Sequence, residues 1–223
     1  MNQPAPAEVI VVLHQDDAGP GNLGPWLDGL GLTWTLVGPE TAPYPGLDAV
    51  RAVVVLGSRE AAYDDSVWWL AGEMRFLESA LDRGTPVLGI CFGAQLLARV
   101  AGGTVRPSPN PERGWVDVES DNPVLHRRWF AWHSDEITPP SAAVVEAASP
   151  ACVEAYSLGK SLAVQFHPEV TEAEVTSWLE STRRLNQLPA SCSAEDILRQ
   201  TRTEGHEATC AAHRLYDLFF DGI

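Results

Sequence analysis

The run Val9, Ile10, Val11, Val12, Leu13 is apolar without interruption and rich in β-branched side chains. That is the pattern of a strand covered on both faces in a parallel sheet, and it predicts a strand over residues 8–14. Residues 52–56 (Ala-Val-Val-Val-Leu) repeat it, and 32–37 and 86–90 predict two more strands, each closed by a glycine-bearing or polar turn. Between these runs, residues 22–30 predict a short helix. Asp65 or Ser66 can cap a helix that runs to about Arg83 and stops at Gly84, and 92–100 predict a third helix. Strand and helix alternate through residue 103, so the fold class is α/β, with a mostly parallel central sheet, right-handed crossovers and helices on both faces.

From residue 104 to 166 the pattern breaks into short segments punctuated by Pro, Gly and Asn. Residues 115–119, 128–132, 143–147, 153–157 and 162–166 are predicted as antiparallel strands added to one side of the sheet. Two helices are expected last, over 172–188 and 194–220, the second opened by Ser193-x-x-Asp196 in the form of a capping box. Ile197, Thr201, Ala208, Ala211, Leu215 and Phe219 give it an apolar face, expected to cover core rather than to dock a partner. There is no internal repeat and no linker, so residues 1–223 are read as a single domain with 193–222 as a C-terminal helical appendage.

Composition narrows the function. The 223 residues carry 15 Lys+Arg against 30 Asp+Glu, a formal charge of −15, and are 45% hydrophobic. The apolar share argues for a packed globule, while the negative charge repels phosphate backbones. Basic residues cluster no further than the pairs Arg127-Arg128 and Arg183-Arg184, so nucleic acid and anionic membranes are not expected partners. The opening residues lack a basic segment and Val9–Leu13 is too short for a signal or a membrane span, so a cytoplasmic location is expected. Cys91, Cys152, Cys192 and Cys210 form neither C-x-x-C nor zinc spacing with histidine.

The segment Gly89, Ile90, Cys91, Phe92, Gly93 places a cysteine between a buried strand and a helix, with a glycine two residues to either side. This is the spacing of a nucleophile elbow, in which small neighbours allow a strained turn that lifts a reactive side chain above the sheet edge. Free backbone N–H groups and the positive end of the helix dipole there favour a thiolate. His167 and Glu169 stand at the end of another predicted strand, two residues apart and on one side, with Pro168 restricting the turn between them. Glu169 can then orient one imidazole nitrogen and leave the other for Cys91, the logic of nucleophile, base and orienter. Donors for a developing oxyanion are available from the Phe92 N–H and from the glycine turn Leu56, Gly57, Ser58, Arg59.

Together Gly89-Ile-Cys91-Phe-Gly93-Ala-Gln95, Phe166-His167-Pro168-Glu169, and Leu56-Gly57-Ser58-Arg59 followed by Tyr63-Asp64-Asp65 resemble the triad-type class I glutamine amidotransferases. Stand-alone chains similar to the glutaminase domain of GMP synthase are the nearest in kind, and the likeness runs in order from residue 8 to residue 180. The resemblance implies a flavodoxin-like class I glutaminase architecture and hydrolysis of the side-chain amide of L-glutamine. Cys91 would be the nucleophile, His167 the proton carrier and Glu169 its orienter. Ser58 and Phe92 would supply the oxyanion hole, and Gly57 and Gln95 would bind substrate. The family commonly has Gly-Gly-Pro where this chain has Gly57-Ser58-Arg59, and a Cβ at Ser58 is costly if the hole needs φ > 0 there.

The segment Trp132, His133, Ser134, Asp135 resembles the family's His-Gly-Asp stretch, again with serine for glycine. His133 and Asp135 are read either as lining the cleft or a partner contact, or as a structural strand end. His14, His126, His206 and His213 are read as surface or core histidines, and Cys152, Cys192 and Cys210 as inert. No metal and no organic cofactor is implied, since Cys–His acyl transfer needs neither and no cluster shows ligand spacing along the chain. Expected partners are L-glutamine or a related γ-glutamyl substrate, and a separate synthase that takes the ammonia. A hydrolase of another γ-glutamyl compound and a non-catalytic binding module on the same fold are the competing readings.

Overall fold

In the computed structural model, residues 8–15, 19–41, 43–184 and 192–222 are described. Four short apolar runs become parallel strands: β1 (Val9–Val12), β2 (Trp34–Val37), β3 (Ala52–Val55) and β4 (Val87–Ile90). They are joined by α1 (Leu23–Gly29), α2 (Leu70–Asp82) and, after β4, α3 (Phe92–Val100). The chain continues through β5 (Thr104–Val118), β6 (Arg127–Thr138), β7 (Val144–Ala148), β8 (Val153–Leu158) and β9 (Ser161–Val164). It closes with α4 (Glu172–Arg184) and α5 (Ala194–Asp221). The main sheet has seven strands in the order β2-β1-β3-β4-β9-β8-β7.

Alternation along the central strands fills two cores. Val9 and Val11 of β1 and Ala52 and Val54 of β3 face one side with α1 and the end of α5, whereas Ile10, Val12, Val53 and Val55 face the other with α2 and α3. Every residue of β1, β3, β4 and β9 is buried, and all are apolar but Ser161, whose hydroxyl accepts the Val87 N–H at 3.0 Å. Ala211, Leu215, Tyr216, Phe219 and Phe220 of α5 enter the first core, so the apolar face of that helix covers the sheet. Ser193 caps α5 by accepting the Asp196 N–H at 3.2 Å.

Three expectations change. The helix expected from Asp65 or Ser66 begins at Leu70, because Asp64 Oδ1 accepts both the N–H and the hydroxyl of Ser66 and closes a local turn instead. The segments 115–119 and 128–132 are not strands of the main sheet, although Glu119 forms an isolated antiparallel bridge to Ala148 of β7. They belong to β5 and β6, which pair antiparallel as a separate two-stranded ribbon with a register shift between Pro107 and Glu112. The segment 162–166 contributes β9, antiparallel to β8 but parallel to β4. The predicted end of α4 at residue 188 lies outside the described residues.

Candidate active site

The parallel strands deliver four residues to one edge. His14 follows β1, Gly57 follows β3, Cys91 follows β4 and His167 follows β9, all at carboxyl ends, where open α/β sheets bind ligands. Backbone bonds fix two of them: the Cys91 N–H donates to Val164 at 2.8 Å, and the His167 N–H donates to Phe130 of the ribbon at 2.7 Å.

Cys91 has φ 51° and ψ −106°, and it is the one non-glycine residue with positive φ among those described. Such a conformation costs about 1–3 kcal/mol and persists only where the surroundings hold it. Here the holding is steric. A Cβ on Gly93 would stand 2.1 Å from the Val55 carbonyl oxygen, so only glycine lets the first turn of α3 sit on β3 and force the turn at Cys91. The backbone N–H groups of that first turn, Phe92 among them, have no intrahelical partner.

His167 and Glu169 are both buried, and Nδ1 of His167 donates to Glu169 Oε1 at 2.7 Å. That bond fixes the tautomer. Nε2 has no nitrogen or oxygen partner among the described residues, and the Cys91 thiol is the group close enough to bond it. Burial opposes a charge on His167, but the Glu169 carboxylate and the Cys91 sulfur outweigh it and carry its pKa up to about 10. The turn carrying the pair is clamped from outside the sheet. The Asn22 N–H donates to the Glu169 carbonyl at 2.9 Å and Asn22 Nδ2 to the Pro168 carbonyl at 2.8 Å, while the Tyr216 hydroxyl of α5 donates to Asn22 Oδ1 at 2.8 Å.

Gly57 closes the other wall. A Cβ there would lie 3.0 Å from His167 Cε1 and 3.8 Å from the Cys91 Cβ. Its carbonyl accepts from His14 Nδ1 at 3.0 Å. In a planar trans peptide the next N–H points the opposite way, so the Ser58 N–H is directed away from His14. Ser58 is not in the left-handed region, so its Cβ carries none of the backbone strain the sequence raised, and its hydroxyl accepts the Glu60 N–H at 3.1 Å. His14, read as an isolated histidine, is the hub of a buried relay. Its Nε2 lies 3.0 and 3.1 Å from the two oxygens of Glu73, and Tyr44 donates to Glu73 at 2.9 Å. Its ring is packed between Trp69 and Phe92.

One cavity is lined by Cys91, His167, Glu169, Gly57, Ser58 and Arg59, with Trp132 and Trp178 as its apolar wall and Gln15 at its rim. The Trp178 ring meets His167 edge-on at 4.9 Å between centroids. Gln95 is not among the lining residues. It is buried under the elbow, with Nε2 donating to Gln165 Oε1 at 3.3 Å.

His133 and Asp135 do not line this cavity either. Asp135 accepts from the Tyr63 hydroxyl at 3.1 Å, and burial raises its pKa. His133 turns to the far side of the ribbon, among Glu112, Cys152 and Glu154. Cys152 is therefore not partnerless, because its sulfur lies 3.5 Å from Glu112 and 3.4 Å from Glu154. Ser134, which replaces the family's glycine, accepts from Arg113 at 2.6 Å, and that guanidinium packs over Trp132.

The class-I glutamine amidotransferase family model matches residues 36–182. The chain belongs to the class I glutamine amidotransferases. It is 38% identical over 114 residues to a glutamine-hydrolysing GMP synthase subunit of Ignicoccus hospitalis, covering 46% of this chain and 60% of that protein. It is 31% identical over 158 residues to a γ-glutamyl-L-1-hydroxyisopropylamide hydrolase of a Pseudomonas species, covering 62% and 53%. A glutamine amidotransferase structure from Methylobacillus flagellatus superposes with a TM-score of 0.88 at 25% identity, covering 97% of this chain and 95% of that one. Among the first curated relatives the matched part is 20% to 60% of their own length. No helix among the described residues is long and apolar enough to cross a membrane.

Proposed function

We propose that this chain is a glutaminase that hydrolyses the side-chain amide of L-glutamine through a γ-glutamyl thioester on Cys91, releasing ammonia to a separate acceptor enzyme. The observation that carries the reading is the strained Cys91 turn facing the His167–Glu169 pair across one cavity. Cys91 sulfur attacks the amide carbon, and the oxygen that becomes negative is met by the N–H groups of Ser58 and Phe92. His167 gives its proton to the departing nitrogen, which leaves as ammonia, and then takes a proton from the water that cleaves the thioester to glutamate. Glu169 keeps the imidazole oriented and offsets its charge. Trp132 and Trp178 exclude bulk water from the acyl group.

The separate acceptor follows the relationship to the GMP synthase of Ignicoccus hospitalis, whose matched protein is one subunit of that enzyme. A second reading, a hydrolase of a larger γ-glutamyl amide with the same triad, is supported by the Pseudomonas relative and by a cavity wall of two tryptophans. Ammonia release from L-glutamine, measured beside Cys91→Ala, tests the first reading. Turnover confined to substituted γ-glutamyl amides replaces it with the second, and no Cys91-dependent turnover of either sinks both.

A further inference from the structure

On the side of the β5–β6 ribbon away from the catalytic cavity, four side chains that are dispersed in sequence converge. Glu112 comes from β5, His133 from β6, Cys152 from the turn before β8 and Glu154 from β8. One donor atom from each lies within 4.8 Å of all the others. His133 and Glu154 are buried to within 1% of full side-chain burial, and the cluster sits where the separate ribbon meets the main sheet. None of the four lines the Cys91 cavity.

We propose that Glu112, His133, Cys152 and Glu154 form a tetrahedral site for a transition-metal ion, zinc(II) by donor chemistry, that cross-links the ribbon to the sheet. Distances carry the first part of the argument. Zinc bonds of about 2.0–2.3 Å to N, O and S set neighbouring donors roughly 3.3–3.7 Å apart on the edges of a tetrahedron. The separations here are 3.1 Å for His133 Nε2 to Glu112 and 4.0 Å for His133 Nε2 to Glu154, with 3.5 and 3.4 Å for the Cys152 sulfur to Glu112 and Glu154. The donor set of one thiolate, one imidazole and two carboxylates suits zinc over calcium or magnesium, which take oxygen alone.

The second part is an unmet valence. His133 Nδ1 donates to the Asp135 carbonyl at 3.0 Å, which fixes the ring and turns Nε2 into the cluster. There Nε2 is buried and makes no hydrogen bond of good geometry, with Glu112 Oε2 3.1 Å away. Glu154 Oε2 is buried and unpartnered as well. Ser149 donates to the Glu112 oxygen at 3.3 Å, an outer contact of the kind that orients metal ligands. On binding, Cys152 sulfur and a Glu154 carboxylate oxygen form zinc bonds and the protons they carried go to solvent, leaving the oxidation state of every group unchanged.

The test uses the full chain stripped with a chelator and titrated with Co²⁺ and Zn²⁺. One Co²⁺ per chain is expected, with the absorption of tetrahedral cobalt and a sulfur-to-cobalt charge-transfer band. That band is lost in Cys152→Ser and retained in Cys91→Ala, Cys192→Ser and Cys210→Ser. His133→Gln lowers zinc affinity by at least about tenfold. Zinc also protects Cys152 from alkylation in the wild type, read by peptide mass spectrometry, which needs no variant to fold. Absence of stoichiometric binding, a band that survives Cys152→Ser, one that vanishes in Cys91→Ala, or Cys152 alkylated equally fast with zinc would each overturn the proposal.

Discussion

His14 Nδ1 donates to the carbonyl oxygen of Gly57 at 3.0 Å, so the peptide that carries the Ser58 N–H is held from behind by a residue 43 positions earlier in the chain. The grip is anchored by Glu73 and Tyr44, and it answers the question that serine in place of glycine raised. The orientation of this peptide comes from a partner for its carbonyl, not from a glycine conformation.

Breaking that grip should cost rate more than binding. In His14→Phe with Glu73→Gln, which keeps the aromatic packing and leaves no buried charge, kcat for glutamine hydrolysis should fall about 10²-fold with KM within a few-fold. An unchanged kcat in a folded double variant would show that the Ser58 N–H needs no such support.

The strain at Cys91 predicts an inversion of the usual order of stabilities. Alanine there keeps the Cβ that makes φ 51° unfavourable, whereas glycine removes it. Cys91→Gly should therefore be more stable than Cys91→Ala by about 1 kcal/mol in denaturant unfolding, with both inactive. Equal midpoints would mean that the turn is relaxed.

Two glycines near the nucleophile should fail in different ways. Gly93→Ala drives a Cβ into the Val55 carbonyl and should destabilise the chain by several kcal/mol. Gly57→Ala meets the His167 ring at 3.0 Å, a contact the imidazole can yield to, so the protein should fold and lose about 10²-fold in kcat. Thermal unfolding beside kinetics separates the two.

The pH dependence follows from His167, whose pKa rises from 6.5 to about 10 in the folded chain. The native state holds this proton more tightly than the unfolded one. The stability it contributes is therefore complete below about 6.5 and lost as pH climbs through about 10. Glu169→Gln removes the largest favourable charge, so the His167 resonance should titrate at lower pH in NMR. The stability gap between wild type and Glu169→Gln should narrow toward pH 10. A gap constant with pH would assign the pair a packing role only.

Tyr216→Phe should act at a distance. It orphans Asn22 Oδ1 in a buried site, costing about 1–3 kcal/mol, and loosens the turn that Asn22 holds at Pro168 and Glu169. A kcat about tenfold lower with unaltered Cys91 alkylation would place the effect on the His167–Glu169 turn.

What the sequence made legible was local. The runs at 9–13 and 52–56 announce buried parallel strands because both faces are covered, and Cys91 between Gly89 and Gly93 announces its turn because that geometry admits few residues. Ser66 misled because its caps are spent on Asp64 within the turn. The ribbon was hidden because alternating short strands look alike whether they extend a sheet or leave it. The roles of His14 and of the Glu112, His133, Cys152, Glu154 cluster were invisible, since each depends on strands that meet only in the fold, with no spacing along the chain to betray them.

The clamp on the His-Pro-Glu turn also has a timing. Asn22 and Tyr216 are separated by 194 residues, which a ribosome adding about 5–20 residues per second needs roughly 10–40 s to traverse. Cys91 and His167 are made within it, and the last 49 residues, from His167 to Tyr216, take about 2–10 s, during which the base lacks that brace. The turn that carries His167 and Glu169 therefore gains its last brace only once α5 has been made.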